Sequence, residues 1–357
     1  MPSDSGPFFA SSSCYTVESV LKGHPDKVCD QICDALLDEY MRIDHESRVA
    51  IECMGKSKTL VISGEVASSA EVDVELVSNS VYQEIGYHDC LNVTNVIGRQ
   101  SEQLAGPVSR GAAGDQGVMY GFACAGPYNS LPLGLHVVHT LAKEIDALRE
   151  REHAYLPDGK VQVTVKNSVV QSLVISVQHH SDSDLHWLRK YVMDQAAANV
   201  VDIKDIEQVY FNHQSQFVLG GFANDTGLSG RKLCVDSYGG LAPQGGGSFS
   251  GKDPSKVDRS AAYMARFVAK SVVANGLASS CLIAVAYVFG EAQPIMLEID
   301  LDGNAGTLVA NMIRRRFDFR PEAIIERLRL KEMRYLPTAT YGHFSNPDYP
   351  WEEVISL

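Results

Sequence analysis

The chain has 357 residues, 45% of them hydrophobic, and a formal net charge of −13 at pH 7. The apolar content is enough for a sizeable core and excludes disorder over the whole chain, and the length suggests two or three domains at roughly 150 residues each. The negative charge argues against a general nucleic-acid binder or a protein docked on an anionic membrane, since both need positive fields.

The sequence carries no pattern of export or membrane anchoring. Residues 1–13 have no basic flank and no long apolar run, so we expect no signal peptide. No apolar stretch approaches the roughly 18 residues of a transmembrane helix. The eight cysteines are scattered, and Cys29 and Cys33 fall inside a helical pattern, which is typical of a protein kept reduced. We therefore expect a cytoplasmic protein.

Apolar periodicity predicts the same order of elements three times, a helix followed by a two-stranded hairpin and a second helix. The first set spans residues 25–43, 48–54, 59–66 and 71–85, the last of these closed by Gly86. The second set spans residues 133–149, 161–165, 168–177 and 184–199. The third set spans residues 256–275, 281–289, 294–299 and 305–317. We therefore predict three α+β units with helices on one face of a sheet, bounded at 13–110, 111–222 and 223–357, and we expect these units to exchange segments.

The first segment with candidate functional residues is Gly-His-Pro-Asp-Lys at residues 23–27. Pro25 suits the first position of a helix and so places His24 and Asp26 at its N-terminus. Free backbone N–H groups there favour anions such as phosphate. His24 can donate to a phosphate oxygen, and Asp26 can hold a magnesium ion. The alternative is an ordinary capped helix with an exposed carboxylate.

Three shorter segments carry weaker signals. Glycines on both sides of Asp115 allow a ligand to approach the backbone, although an ordinary turn has the same composition. Asp158 and Lys160 enter the second hairpin through a typical turn sequence. Glu52 and Glu65 lie in the first hairpin, where a buried carboxylate would need a cation or a donor and an exposed one would face water.

The most informative segment runs from residue 225 to residue 270. From Thr226 to Lys270 it has seven Lys or Arg against three Asp, a local charge of +4, and eight glycines fall between Gly227 and Gly251. Basic side chains among glycines are typical of a polyphosphate cradle, the alternative being a solvated basic loop. Residues 246–252 match most of a P-loop, but Asp253 replaces the hydroxyl that binds magnesium, which argues against a P-loop NTPase.

Together these segments resemble the S-adenosylmethionine synthetase (methionine adenosyltransferase) family, from about residue 13 to residue 351. Residues 23–27 look like the family's first ATP-binding signature. Residues 112–117 resemble the second, Gly-Ala-Gly-Asp-Gln-Gly, with Ala112 in place of the first glycine. Residues 245–258 resemble the glycine-rich phosphate signature nearly residue for residue, and residues 341–344 fit the C-terminal region.

This resemblance implies a fold and a reaction. The fold would be three intertwined α+β units about a pseudo-threefold axis, assembled into a homodimer or homotetramer with active sites between subunits. The sulfur of L-methionine would attack C5′ of ATP and displace the whole triphosphate, giving S-adenosylmethionine. The triphosphate would then be cut to pyrophosphate and phosphate. Two Mg²⁺ ions in each site and a K⁺ ion would assist.

The resemblance also implies roles for individual residues. The catalytic residues would be His24, Lys160, Arg231, Lys232 and Lys252. Further contacts to ATP would come from Asp158, Phe217 (stacked on adenine), Asp225 and Ser248. Methionine would be held by Glu65, Gln100, Asp115, Asp225 and Lys256. The metal ligands would be Asp26 and Asp258 for Mg²⁺ and Glu52 for K⁺.

The sequence departs from the family pattern at three places. Gln216 stands where the family has an arginine, and Phe222 stands where it has a proline. The loop between Gln100 and Asp115 is shorter than usual, and in the family this loop gates the site, so we expect altered closure. Two other functions stay open at this point, a noncatalytic relative that binds nucleotide and a triphosphatase without methionine chemistry. Stimulation of triphosphate turnover by methionine separates the triphosphatase from the synthetase.

Overall fold

The computed structural model describes residues 14–100, 111–153, 155–213, 216–305 and 308–357. The strands in these residues are β1 (Cys14–Val20), β2 (Arg48–Lys56), β3 (Thr59–Ala67), β4 (Asn92–Arg99), β5 (Gly117–Cys124), β6 (Tyr155–Lys166), β7 (Val169–His179), β8 (Gln208–Phe211), β9 (Gly227–Leu228), β10 (Ser280–Tyr287), β11 (Met296–Leu301) and β12 (Asn304–Ala305). The longer α-helices there are α1 (Pro25–Ile43), α2 (Val74–Ile85), α3 (Leu133–Glu152), α4 (Leu185–Val192), α5 (Val257–Ala274), α6 (Leu308–Arg316) and α7 (Pro321–Arg327).

These strands form three four-stranded sheets, ordered β1-β6-β7-β8, β9-β2-β3-β4 and β5-β10-β11-β12. The three predicted hairpins, β2–β3, β6–β7 and β10–β11, are confirmed, one in each sheet. Each hairpin is bordered by an antiparallel strand from a distant part of the chain. Thus β1 borders the second hairpin, β5 the third and β9 the first. This exchange brings residues near 25, 50 and 230 together.

A long helix covers one face of each sheet. Helix α1 packs on β2, α3 on β1 and β6, and α5 on β5 and β10. The predicted apolar face of α1 is confirmed at Val28, Ile32 and Leu36, which have no exposed surface. Ile43 was expected on the same face but is 47% exposed, because it is the last residue of the helix. Gly121 allows a close helix–sheet approach, since a Cβ there would lie 2.1 Å from the Ala265 carbonyl carbon.

Several predicted boundaries shift. Helix α2 begins at Val74 rather than residue 71, because the Asp73 side chain accepts from the Leu76 N–H at 2.9 Å and caps it. Gly86 ends this helix in the left-handed conformation at φ 114°, as predicted. The helix predicted over 184–199 is interrupted, since α4 ends at Val192 and a π-helical turn, Met193–Ala197, follows. The helix predicted from residue 305 begins at Leu308.

The sheet β9-β2-β3-β4 exposes alternate side chains on the face opposite its buried core. Glu52, Met54, Glu65 and Val96 lie on this face, with Met54 45% and Val96 55% exposed. Neighbouring positions such as Ile51 are fully buried. Within the described residues, no helix is both long enough and apolar enough to cross a membrane.

Candidate active site

The N-terminus of α1 lies where the sequence predicts it. Pro25 is the first helical residue, and His24 is the N-cap. The Nδ1 atom of His24 accepts from the Asp26 N–H at 3.2 Å. Strand β9 reaches this point from a distant part of the chain, and a Cβ at Gly227 would lie 2.2 Å from the Pro25 carbonyl oxygen. The close approach of the two backbones requires glycine at position 227.

Asp26 is fully buried and collects donors from the 228–232 segment. Its carboxylate accepts from Lys232 Nζ at 2.7 Å, from Arg231 Nε at 2.8 Å and from the Leu228 N–H at 3.0 Å. Burial alone would raise the pKa of Asp26, but the hydrogen bonds from Lys232 and Arg231 outweigh it and hold the pKa below its usual range. Asp26 is therefore ionised and orients two cationic side chains at the helix N-terminus.

His24 is uncharged at neutral pH. Its burial, reinforced by the positive charge of Lys232, lowers its pKa to about 4. Since Nδ1 accepts from the Asp26 N–H, the neutral ring carries its proton on Nε2. His24 thus offers one hydrogen-bond donor without a net charge.

A second group of predicted residues lies beside β2. Lys252 forms an ion pair with Asp258 and makes a backbone bridge to Ala50 of β2. Gly247 covers the Asp258 carboxylate so closely that a Cβ would lie 2.3 Å from its Cγ atom. Ser248 packs against Gly230 in the same way, at 2.7 Å between its Cβ atom and the Cβ that a side chain would add.

Glu52 and Asp225 connect to the same surroundings. The Glu52 carboxylate accepts a hydrogen bond from the Ser229 hydroxyl, directly before Gly230. Asp225 lies 3.9 Å from Arg231 Nη2. Both predicted residues therefore lie on the 225–232 segment or against it.

Lys160 and Asp158 enter from the second sheet. Lys160 of β6 pairs with Glu18 of β1 at 2.5 Å, and its charge contributes to the lowered pKa of His24. Asp158 is 4% exposed, and its carboxylate accepts from the Gly221 N–H at 2.8 Å. Lys160 therefore lies close to His24, and Asp158 contacts the 221–225 segment through Gly221.

The Gln178 side chain joins Asp158 to Val218, the residue that follows Phe217. The Gln178 amide donates to the Val218 carbonyl at 3.0 Å and accepts from the Asp158 N–H at 3.3 Å. Phe217 itself exchanges backbone contacts with His179, donating its N–H to the His179 ring at 3.0 Å. Residues 214 and 215, directly before Gln216, lie outside the described residues.

Four predicted residues are not joined to Asp26 by any described hydrogen bond or ion pair. Gln100 follows β4 and donates its N–H to Val66, while Glu65 is exposed on β3. Asp115 accepts from its neighbouring Gln116 N–H, and Lys256 precedes α5. Within the described residues, no hydrogen bond or ion pair joins the side chains of these four to Asp26 or Asp258. The shortened loop predicted between Gln100 and Asp115 falls mostly on residues 101–110, outside the described residues.

The Asp26 and Asp258 carboxylates are better suited to a metal ion that is also bound by a polyphosphate than to one held by protein ligands alone. In the part of the chain that the structure describes, no group of three or more His, Cys, Asp or Glu side chains is arranged to hold a metal. Asp26 and Asp258 each offer one carboxylate beside cationic side chains. Mg²⁺ in nucleotide sites is typically bound by one or two carboxylates together with phosphate oxygens. The donor set therefore fits Mg²⁺ bound together with phosphates.

A buried ionic network that the sequence did not predict lies next to the site. Lys27 Nζ lies 2.8 Å from Asp30 and also pairs with Asp236, all three being almost completely buried. Asp30 also accepts from the Gly230 N–H at 2.8 Å, which ties α1 to the 228–232 segment. A Lys–Asp pair three residues apart on α1 was an available signal, but Asp236 had none.

Asp158 gives the site a pH-dependent stability. Burial raises its pKa from an ordinary 3.8 to about 7, so its contribution to stability is fully present below pH 3.8 and is lost as the pH rises through 7. Asp158→Asn, which cannot ionise, should therefore melt at a higher temperature than the unmodified protein at pH 8, with a smaller gain at pH 5. Thermal melts across this range measure the difference.

Asp44→Asn is the matched control for that series. Asp44 is a half-buried carboxylate whose pKa is lowered to about 2 by hydrogen bonds, first from the Ser69 N–H. Because Asp44 does not titrate between pH 5 and pH 8, its variant should show a constant difference from the unmodified protein. A constant difference for Asp158→Asn as well would contradict the raised pKa.

Comparison with protein-family models gives one consistent result over most of the chain. Residues 12–102 match the N-terminal domain of S-adenosylmethionine synthetase, residues 110–218 its central domain and residues 219–353 its C-terminal domain. The three matches follow in chain order, so the resemblance found from the sequence motifs is confirmed. The chain belongs to the S-adenosylmethionine synthetase family, and its activity is that of a methionine adenosyltransferase, which forms S-adenosylmethionine from ATP and methionine.

Proposed function

We propose that the adenosyl transfer takes place at the cluster built around Asp26. The observation that carries this proposal is the convergence of Arg231 and Lys232 on a buried carboxylate at the N-terminus of the 19-residue helix α1. The N-terminal end of the helix, a neutral His24 donor and two cations suit a polyanion at this place. Lys252, Ser248 and Lys160 extend the proposed triphosphate site.

The proposed chemistry needs no general base. The methionine sulfur is already nucleophilic, so it forms the S–C5′ bond as the C5′–O bond breaks and the electron pair leaves with the triphosphate. Catalysis then depends on in-line placement and on stabilising the charge that builds on the leaving oxygen. His24 Nε2–H would donate to the triphosphate near C5′, while Arg231 and Lys232 would balance its charge. Water would then cut the bound triphosphate to pyrophosphate and phosphate.

The second substrate, methionine, would lie at the other end of the proposed site. Asp225, near Arg231, would face the methionine ammonium group together with Glu65, and Lys256 would face its carboxylate. Gln100 and Asp115 would complete this part. Phe217 would stack on adenine, and Asp158 would position the nucleotide beside it.

We also propose that two copies of the chain share each site, as a homodimer or homotetramer. In one chain, Glu65 and Gln100 lack described contacts to the Asp26 cluster, so a second subunit would bring its own copies to it. The exposed face that carries Glu65 also presents Met54 and Val96, apolar side chains that would be buried by such a contact.

Enzymes of this family use metal ions. We propose two Mg²⁺ ions, at Asp26 and Asp258, and a K⁺ ion at Glu52. Bound Mg²⁺ would neutralise part of the triphosphate charge. The chain's own contribution would be to hold each carboxylate in place, Asp26 through the Leu228 N–H and Glu52 through the Ser229 hydroxyl.

The arrangement of the units, the cellular compartment and the role of one loop are also proposals. Two of the sheets share one strand pattern, an antiparallel border strand, a hairpin and a parallel fourth strand, which supports units at 13–110, 111–222 and 223–357 about a pseudo-threefold axis. Cys29, Cys33, Cys53 and Cys281 are buried free thiols, which supports a reducing compartment such as the cytoplasm. The third, a gating role for the short loop after Gln100, rests on the family resemblance.

Product analysis tests the proposed reaction. The protein is mixed with ATP, methionine, Mg²⁺ and K⁺, and the products are quantified by mass spectrometry and phosphate assays. We expect S-adenosylmethionine, pyrophosphate and phosphate in equal amounts. Phosphate without S-adenosylmethionine would indicate a triphosphatase, and ATP binding without turnover would indicate a noncatalytic relative.

A further inference from the structure

A stack of three aromatic rings lies between the segment that carries His24 and the segment 221–225. The Tyr82 ring stacks on Tyr87 at 4.7 Å between centroids and on Phe222 at 5.6 Å, with interplanar angles of 17° and 9°. Tyr82 is 4% exposed and Phe222 is fully buried. Such contacts fix ring positions through packing as well as through burial.

One end of this stack holds the segment that carries His24. The Tyr87 hydroxyl donates to the Gly23 carbonyl oxygen at 2.6 Å, in the peptide group directly before His24. Gly23 is also confined from the other side, since a Cβ there would lie 2.3 Å from Pro157 Cβ. Burial raises the pKa of Tyr87 well above its ordinary value, so the hydroxyl remains a donor.

The other end of the stack holds the segment that leads to Asp225. Gly221, which has a φ of 59°, also lies against Tyr87, where a Cβ would lie 2.6 Å from the Cζ atom of the ring. The next residue, Phe222, is accommodated by two glycines. A Cβ would lie 2.2 Å from the Phe222 ring at Gly55 and 2.7 Å from it at Gly227. The phenylalanine that replaces the family's proline is therefore matched to its surroundings.

We propose that Tyr87 is a positioning residue for adenosyl transfer. Through the Gly23 carbonyl it fixes His24 against the departing triphosphate, and through its ring it holds the 221–225 segment at the methionine end. This inference rests on the role proposed above for His24. Small misplacement of a reacting group has a large effect on rate, so one hydroxyl distant from the substrate can matter.

Tyr87→Phe tests the proposal, because it removes the hydroxyl and keeps the stacked ring. We expect kcat to fall about tenfold, the effect of losing one hydrogen bond, while KM for ATP and methionine stays nearly unchanged. Tyr82→Phe is the matched control, since its hydroxyl makes no described hydrogen bond to the 23–26 segment. Its kcat should equal that of the unmodified protein.

A double mutant decides whether Tyr87 acts through His24. In a His24→Ala background, Tyr87→Phe should cause no further loss of kcat, because the group that it positions is gone. Independent, multiplicative losses would overturn the inference, and so would a raised KM with kcat unchanged. Full activity of Tyr87→Phe beside an impaired His24→Ala would overturn the inference alone. Full activity of His24→Ala would overturn both the role proposed for His24 and this inference.

Discussion

Lys232→Met is expected to lower kcat by about 10²- to 10³-fold, the loss typical of removing one charge-stabilising group at a reacting centre. Lys232 Nζ lies 2.7 Å from the buried Asp26 carboxylate, which aims it at the N-terminus of α1. Methionine keeps the length of the side chain and removes its charge. Asp26 keeps its ion pair with Arg231, so the variant should still fold. Initial rates of S-adenosylmethionine formation measure the loss.

Lys331→Met is the matched control for this charge. Lys331 forms an exposed ion pair with Glu46 at 2.6 Å, and no described hydrogen bond or ion pair joins it to Asp26, Arg231 or Lys232. Its replacement should leave kcat unchanged. A loss below about tenfold for Lys232→Met would contradict the proposed triphosphate site, given the size of such electrostatic effects.

Arg259→Met is expected to destabilise the protein by about 3–5 kcal/mol, because it leaves a buried carboxylate without its partner. Arg259 is fully buried, and its guanidinium binds Asp34 through two nitrogens, at 2.7 and 2.9 Å. It also donates to the Thr338 hydroxyl and stacks over the Tyr335 ring at 4.1 Å. One side chain thus ties α5 to α1 and to the C-terminal segment. The free energy of unfolding in urea measures the effect.

Two further variants serve as comparisons for the stability of Arg259→Met. Arg259→Lys keeps the charge but loses the planar fork, so its stability should fall between those of Arg259→Met and the unmodified protein. Arg320→Met removes an exposed arginine paired with Asp318 and should change stability by less than about 0.5 kcal/mol. An Arg259→Met variant as stable as Arg320→Met would show that the buried ion pair is not essential to the packing of α5.

Local signals explain which parts of the fold the sequence predicts. Helix α1 has an N-terminal proline and an apolar period, and Gly86 ends α2, so both follow from short stretches of sequence. Strand β9 has only two residues and exists because it pairs with β2. Strand β4 exposes most of its side chains and so lacks the apolar alternation of a half-buried strand.

In the candidate site, too, local sequence predicts some features, whereas others depend on packing. Motif composition predicts that the segments around Asp26 and Lys232 take part in one site, yet their direct contact joins residues 206 positions apart. Such a contact depends on the packing of β9 against α1, which no local pattern records. Tyr87 has no signal at all in the sequence, because its role depends on a single hydroxyl that reaches the Gly23 carbonyl.

A crystal structure with a non-hydrolysable ATP analogue, methionine and Mg²⁺ tests the central claim most directly. The account predicts the triphosphate at the N-terminus of α1, in contact with Arg231 and Lys232, with His24 Nε2 beside the oxygen attached to C5′ and metal ions at Asp26 and Asp258. A triphosphate bound elsewhere, with the Asp26 cluster unchanged and free of ligand, would contradict it.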